Sequence, residues 1–186
     1  MKNILNYCLV LVISLTIFPI FLITSIIIFF SCGLPIIHWS KRVGKDEKIF
    51  YMAKFRTMKK NTPQVASHLM QNPRLHITKV GKILRKTSLD EVPQFINLLK
   101  LDMDIVGPRP ALFNQYDLIK KRSVKGINKL KPGITGLAQV NGRDEMSIDE
   151  KVNFDLIYMN KRSFFYDIKI IVNTAIKIIY AKNITH

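Results

Sequence analysis

Between Asn3 and Ser40 the chain carries no Lys, Arg, Asp or Glu, and from Cys8 to Phe30 it reads CLVLVISLTIFPIFLITSIIIFF. Such a run is long enough to cross a bilayer, since about 20 apolar residues span the hydrocarbon core. It is too long for the apolar region of a cleaved signal peptide, and no small-x-small site closes it. Pro19 lies near its middle, where it removes one helical hydrogen bond and crowds the preceding turn, so a kink is expected. Two architectures satisfy the pattern. A kinked helix can cross, or a re-entrant one can bend back and keep Lys2 and Lys41-Arg42 on the same side. Membrane helices accommodate proline, so the pattern leaves both open.

Beyond residue 40 the pattern changes to mixed polar and apolar positions. Ile49 to Met58 is rich in aromatic and β-prone residues and predicts an extended segment. Asn61 to Pro73 is polar and punctuated by prolines, and reads as loop with room for a short helix. Thr78 to Lys86 predicts a basic amphipathic helix, and Leu89 to Leu101 a second helix. Gly107-Pro108-Arg109-Pro110 predicts a stiff loop that presents a guanidinium. Lys131 to Gly136 predicts a rigid turn, leading into a strand-like run from Leu137 to Arg143 with an Asn-Gly turn. Simple turn chemistry accounts for each of these loops taken singly. Phe164 to Ile184 predicts a helix whose apolar stripe contains Phe164, Phe165, Ile168, Ile171, Val172, Ala175, Ile176 and Ile179. Such a stripe suits either a core helix or one lying on a bilayer surface. The pattern therefore gives an apolar segment at 1–40 and one basic domain at 41–186, of α+β class and predominantly helical.

Composition changes this picture in two ways. Lys2 is the sole charged residue before Lys41, so the net charge of +16 belongs almost entirely to the second segment. Basic residues after the apolar run place that domain in the cytoplasm by the positive-inside bias. The charge calls for an anionic partner. No helix-turn-helix, RNP or zinc-finger pattern is present, so nucleic acid is not expected. Anionic headgroups and phosphorylated small molecules suit a domain already tethered to a bilayer. Cys8 and Cys32 both lie in the apolar run without partners at zinc-ligand spacing, which argues against a disulfide framework or structural metal.

Candidate chemistry centres on Asp90 and Glu91, two adjacent carboxylates that follow Lys79, Lys82, Arg85 and Lys86. Ser88-x-x-Glu91 fits a capping box, with Pro93 at home in a first turn. A pair of carboxylates beside a basic face also suits a divalent metal and a phosphorylated substrate. The two roles are compatible, because a helix start is also where a phosphate is held.

Taken together, the motifs resemble the bacterial sugar transferases, specifically the small monotopic phosphoglycosyl transferases that start glycan assembly on undecaprenyl phosphate. The resemblance rests on the Pro-containing N-terminal helix, Lys54-Phe55-Arg56-Thr57-Met58, Thr87 to Gln94, Val106 to Pro110, and Lys131 to Arg143. It implies a UDP-sugar substrate, Mg2+, a covalent phosphosugar intermediate on Asp90, and transfer to undecaprenyl phosphate with release of UMP. Glu91 would hold the metal with Asp90 or orient Asp90. Arg85, Arg109 and Arg143 would contact phosphate or uridine diphosphate, with Gly107, Pro108 and Pro110 shaping the loop. Lys54 and Arg56 would bind substrate or support the fold. It also implies a re-entrant N-terminal helix, amphipathic interfacial helices, and residence on the cytoplasmic face of the bacterial inner membrane among its lipids. The chain departs from the family pattern at Phe18 before Pro19, where a serine is usual. Further departures are Leu101 and Glu47, where glycine is usual, and Leu137 in place of a frequent Trp. A non-catalytic, membrane-anchored basic module that binds anionic lipid or an acidic partner is the competing reading.

Overall fold

The structure is a computed structural model and describes residues 2–60, 62, 73–142 and 146–180. The predicted loop at Asn61 to Pro73 falls almost wholly outside these residues, as does Arg143. The described chain is mostly helical with two small sheets. The described residues form two compact units, one within 2–40 and 51–100, the other within 41–50 and 101–180.

In the first unit, helix α1 (Lys2–Cys32) runs through Pro19 without interruption. Its window Leu15–Cys32 is long and apolar enough to cross a membrane. The helix is not apolar surface throughout. Ile28 is fully buried, and it clusters with Phe55 and Leu84 while Phe21, Val80, Leu89 and Val92 pack around them. The Phe21 ring stacks on Phe55 at 5.3 Å and meets Phe95 edge-on at 5.5 Å. On other faces of the helix Leu22, Ile23, Ile26, Ile27 and Phe30 are exposed.

After α1 the chain forms the hairpin strands β1 (Ile37–Val43) and β2 (Ile49–Phe55), so the expected extended segment is present over its first seven residues. Helix α2 (Pro73–His76) and helix α3 (Lys79–Thr87) follow. Lys79, Lys82 and Lys86 of α3 are exposed while Gly81 and Leu84 are buried, as an amphipathic helix requires, and Arg85 lies half-buried between the two faces. The second predicted helix is corrected. It begins as a 3-10 turn over Leu89–Gln94 and becomes α-helical only in α4 (Phe95–Leu99).

The second unit is built around a parallel pair, β3 (Asp104–Val106) and β4 (Gly133–Thr135), in the register Asp104 with Gly133 and Val106 with Thr135. Parallel strands need a crossover, and helix α5 (Tyr116–Val124) lies in it. Behind β4 come α6 (Leu137–Asn141), α7 (Ile148–Lys161) and α8 (Phe164–Tyr180). The strand-like reading of Leu137 to Arg143 is therefore wrong as far as it is described. The strand lies four residues earlier, and Leu137–Asn141 is a helical turn that buries Ala138 and Val140. Gly136 explains the change of direction, because a Cβ there would lie 2.1 Å from the Gly107 carbonyl oxygen.

Helix α8 buries Ile170 and joins Thr174 to Thr135 through their hydroxyls at 2.7 Å. The stripe noted in the sequence is the other face: Phe164, Phe165, Ile168, Ile171, Val172 and Ile176 are all exposed.

Two departures from the family pattern have a visible backbone consequence. Leu101 and Glu47 adopt φ of 62° and 61°, the left-handed region that glycine enters without a Cβ penalty. Leu101 follows the C-cap of α4, the position where helices commonly end on glycine. It is also 42 % exposed, so it recovers little by burial. Leu101→Gly is expected to raise unfolding stability by about 1 kcal/mol. Glu47→Gly should gain less, since the Glu47 carboxylate accepts a hydrogen bond from Asn128 at 3.1 Å that glycine would lose. Urea midpoints of the two variants check both the sign and the order.

Candidate functional site

The acidic pair is positioned by three neighbouring segments of the first unit. Thr78 caps α3, accepting from the Gly81 amide at 2.9 Å. Gly81 is required there because its Cα rests on the end of the β2 segment; a Cβ would lie 2.1 Å from the Thr57 carbonyl oxygen. One turn later Arg85 donates through Nε to the Thr57 hydroxyl at 2.9 Å. Helix α3 then ends at Ser88, which turns left-handed at φ 58°.

That turn overturns the capping-box reading of Ser88 and Glu91. An N-cap residue is extended, with its side chain accepting from the helix start. Ser88 is left-handed and makes no side-chain cap bond. The box exists instead at Ser147 and Glu150, where Ser147 is extended at φ −61°, ψ 162°. Those partners draw the Glu150 pKa below its usual value.

The 3-10 geometry sorts the side chains that follow. Residues i and i+3 eclipse in such a turn, so Leu89 and Val92 share one edge, and both pack into the cluster around Ile28 of α1. Asp90 and Pro93 share the next edge, and both are buried. Asn97, fully buried in α4, fastens the turn to β2. Its side-chain oxygen accepts from the Ala53 amide at 2.9 Å, and its nitrogen donates to the Tyr51 carbonyl at 2.8 Å. Loss of the first bond would strand the buried Ala53 amide, at about 1–3 kcal/mol.

This docking brings Lys54, the residue after Ala53, to the acidic pair. Lys54 Nζ lies 2.7 Å from Glu91 Oε1 and 4.0 Å from Asp90 Oδ2. The Lys54, Asp90 and Glu91 side chains are only 16 %, 13 % and 22 % exposed. Two carboxylates on adjacent, poorly hydrated residues repel each other, and the Lys54 ammonium offsets part of that cost. The arrangement leaves an acidic residue, Asp90, beside a cation and next to side chains that touch the apolar helix.

Arg56 has a different role. It is buried, and Nη2 donates to the carbonyls of Cys32 and Gly33, the latter at 2.8 Å. It satisfies the open carbonyl end of α1, where a cation is also favoured by the helix dipole. Sequence reasoning did not single out Thr57 or Asn97, since hydrogen bonds to backbone across distant segments leave no local signature. Gln94 was also passed over; it is buried, and its Nε2 meets no hydrogen-bond partner among the described residues.

The second unit holds Gly107, Pro108, Arg109 and Pro110 as an irregular loop after β3, as expected. Its prolines lack amide hydrogens, so beyond the Gly107 amide, which donates to the Thr135 carbonyl at 2.9 Å, the loop is held largely through its carbonyls. Those of Val106, Pro108, Arg109, Pro110 and Ala111 accept from Tyr158 Oη, Gly133 N, Arg122 Nη1, Arg42 Nη1 and Val43 N, at 2.8–3.1 Å. Burial raises the Tyr158 pKa, and its hydrogen bond to Asp167 raises it further. Arg122 also donates through Nε and Nη2 to Asp155 Oδ2 at 2.9 and 2.6 Å. Burial raises the Asp155 pKa and the guanidinium pulls it back. Arg85 and Arg109 lie in different units, and Arg143 lies outside the described residues. Among the described residues no group of three or more His, Cys, Asp or Glu gathers for a metal.

Comparison with known proteins adds independent information. A family model described as bacterial sugar transferase matches residues 1–181. An uncharacterized sugar transferase of Bacillus subtilis, EpsL, is 38 % identical over 168 residues, covering 87 % of this chain and 82 % of that protein. The UDP-glucose:undecaprenyl-phosphate glucose-1-phosphate transferase of Escherichia coli is 42 % identical over 176 residues, 89 % of this chain and 37 % of that protein. The undecaprenyl-phosphate galactose phosphotransferase of Salmonella typhimurium is 38 % identical over 158 residues, 77 % of this chain and 33 % of that protein. The chain thus spans most of the first relative and about a third of the length of the other two.

Proposed function

Because the chain belongs to the bacterial sugar transferase family, we propose that it moves a phosphosugar from a UDP-sugar to undecaprenyl phosphate, releases UMP and so initiates glycan assembly. The observation that carries this reading is the placement of Asp90. It is a buried carboxylate in a turn whose neighbouring residues, Leu89 and Val92, pack on the apolar helix α1. A nucleophile there can meet a soluble diphosphate and a lipid-borne phosphate in turn.

The reaction divides into two displacements. A carboxylate oxygen of Asp90 attacks the phosphorus that bears the sugar. The bond from that phosphorus to the UMP oxygen breaks, and UMP leaves with the electron pair. An oxygen of undecaprenyl phosphate then attacks the same phosphorus. The bond to Asp90 breaks, the carboxylate is restored, and a polyprenyl diphosphate sugar is formed.

The Asp90 and Glu91 carboxylates suit Mg2+, which is usually held by one or two carboxylates with substrate phosphates and water completing the shell. When bound it would offset the diphosphate charge that two carboxylates otherwise repel. Glu91 is drawn to Lys54, which also lies within reach of Asp90. Arg85, Arg109 and Arg143 are assigned to phosphate and uridine-diphosphate contacts, because a guanidinium matches phosphate geometry. Arg56 is assigned to the fold instead of the substrate.

The protein is placed at the bacterial cytoplasmic membrane, with its basic units on the cytoplasmic face. For helix α1, continuous through Pro19, we propose re-entry by a bend at that proline. From Phe21 onward one face packs on the unit that carries Asp90, while other residues remain exposed for lipid. The exposed stripe of α8, with Lys169 and Lys177 on the same helix, suits the headgroup region.

Two experiments test this reading. Asp90→Asn should reduce UMP release from UDP-sugars to background, whereas Lys120→Gln, at an exposed position of α5, should leave it unchanged. Turnover by the Asp90 variant at the unsubstituted rate would rule out a covalent role. No release by the unsubstituted protein across a panel of UDP-sugars, with liposome binding intact, would favour the basic-module reading. For topology, single cysteines at Asn3 and Lys45 should both label from the cytoplasmic side; labelling from opposite sides would exclude re-entry.

A further inference from the structure

We propose that Arg122, held by Asp155, is a positioning residue that sets the direction of the Arg109 side chain through the Arg109 backbone. The inference rests on the reading above, in which Arg109 contacts the diphosphate. Arg122 lies on α5 and Asp155 on α7, thirteen and 46 residues along the chain from Arg109.

Arg109 stands between two prolines, and this dictates how it can be held. Pro110 restricts Arg109 to extended backbone angles, yet neither proline offers an amide to fix the loop. The orientation of the peptide after Arg109 therefore depends on what its carbonyl meets. That carbonyl accepts from Arg122 Nη1 at 2.8 Å. The neighbouring carbonyls of Pro108 and Pro110 are taken by Gly133 N and by Arg42 Nη1, at 3.0 and 3.1 Å. Of these three carbonyls, the one that meets Arg122 belongs to the residue whose side chain would do the binding.

Arg122 is itself fixed by a buried pair. Its side chain is 11 % exposed and that of Asp155 2 %. Nε and Nη2 both donate to Asp155 Oδ2, which leaves Nη1 directed at the loop. A buried pair of this kind is weak evidence for stability, because desolvation opposes the Coulombic gain. Its geometric specificity is the stronger property: a planar guanidinium can serve a carboxylate and a carbonyl at once. An ammonium on a shorter reach can keep the carboxylate but not both partners. The arrangement is a rigid tie from two helices to one backbone oxygen.

The test is a double-mutant cycle on the full-length protein, read as kcat/KM for the UDP-sugar by UMP release. Arg122→Lys retains the charge opposite Asp155 and should lower kcat/KM by about 10–100-fold, the scale of a misplaced binding group. The KM for undecaprenyl phosphate should stay within about twofold. Combined with Arg109→Ala, the same Arg122→Lys change should cost less than about twofold more, because its target side chain is already absent. Asp155→Asn, which keeps the shape of the pair, should show the same lack of additivity and serves if the lysine variant folds poorly. An equal fold-loss in both Arg109 backgrounds would show a general structural effect and overturn the proposal. So would an Arg122→Lys protein with kcat/KM equal to that of the unsubstituted one. UMP release by the unsubstituted protein separates the two levels: it fails only if the functional reading itself is wrong.

Discussion

The contact on which the rest of the structure depends is apolar: the seating of Leu89 and Val92, with Phe55 and Leu84, against Phe21 and Ile28 of α1. Fully burying a single side chain of this size is worth roughly 1.5–3 kcal/mol. A handful of them outweighs the strain of a left-handed Ser88 and the cost of bringing two carboxylates out of water. The 3-10 turn makes the seating possible, because its three-residue repeat puts Leu89 and Val92 on one edge and Asp90 on the next. An α-helix over the same residues would keep the two on one face but offset them by about 60° around the axis, where the 3-10 turn eclipses them. Apolar packing against the membrane helix and burial of Asp90 are therefore two results of one local geometry.

The polar contacts then refine what the apolar seam has placed. Asn97 completes two backbone hydrogen bonds of β2 and holds the turn in register with Lys54. Lys54 compensates the carboxylates, at 2.7 Å for Glu91 and 4.0 Å for Asp90. This unequal sharing distinguishes two residues that look alike in the sequence. Lys54 itself sits closer to Glu91 than to Asp90. Arg56 closes the same unit by satisfying carbonyls at the end of α1.

Much of this was legible in the sequence, and its failures share a cause. The apolar run, the basic amphipathic helix, the Gly-Pro-Arg-Pro loop and the final helix each follow from residue type and period, and each is present. The capping box was misassigned because Ser88-x-x-Glu91 and Ser147-x-x-Glu150 are the same local pattern. Only the backbone distinguishes them, left-handed at Ser88 and extended at Ser147. The strand was set four residues late because Leu137-Ala138-Gln139-Val140 is too short for its period to declare helix or strand. The stripe on α8 was seen correctly, but which face turns inward depends on Ile170 meeting a core that comes from β3, α6 and α7. Arg122 and Asp155, 33 residues apart, carry no motif, and their link to the loop exists only in three dimensions.

The account's central claim is that the geometry around Asp90 makes it the group that carries the phosphosugar between the two substrates. Intact-mass analysis of the protein incubated with its UDP-sugar and Mg2+, without lipid phosphate, tests this directly. The account predicts a gain of one phosphosugar, mapped by peptide sequencing to Asp90 and discharged when undecaprenyl phosphate is added. A protein that turns over while its adduct maps to a different residue would contradict it.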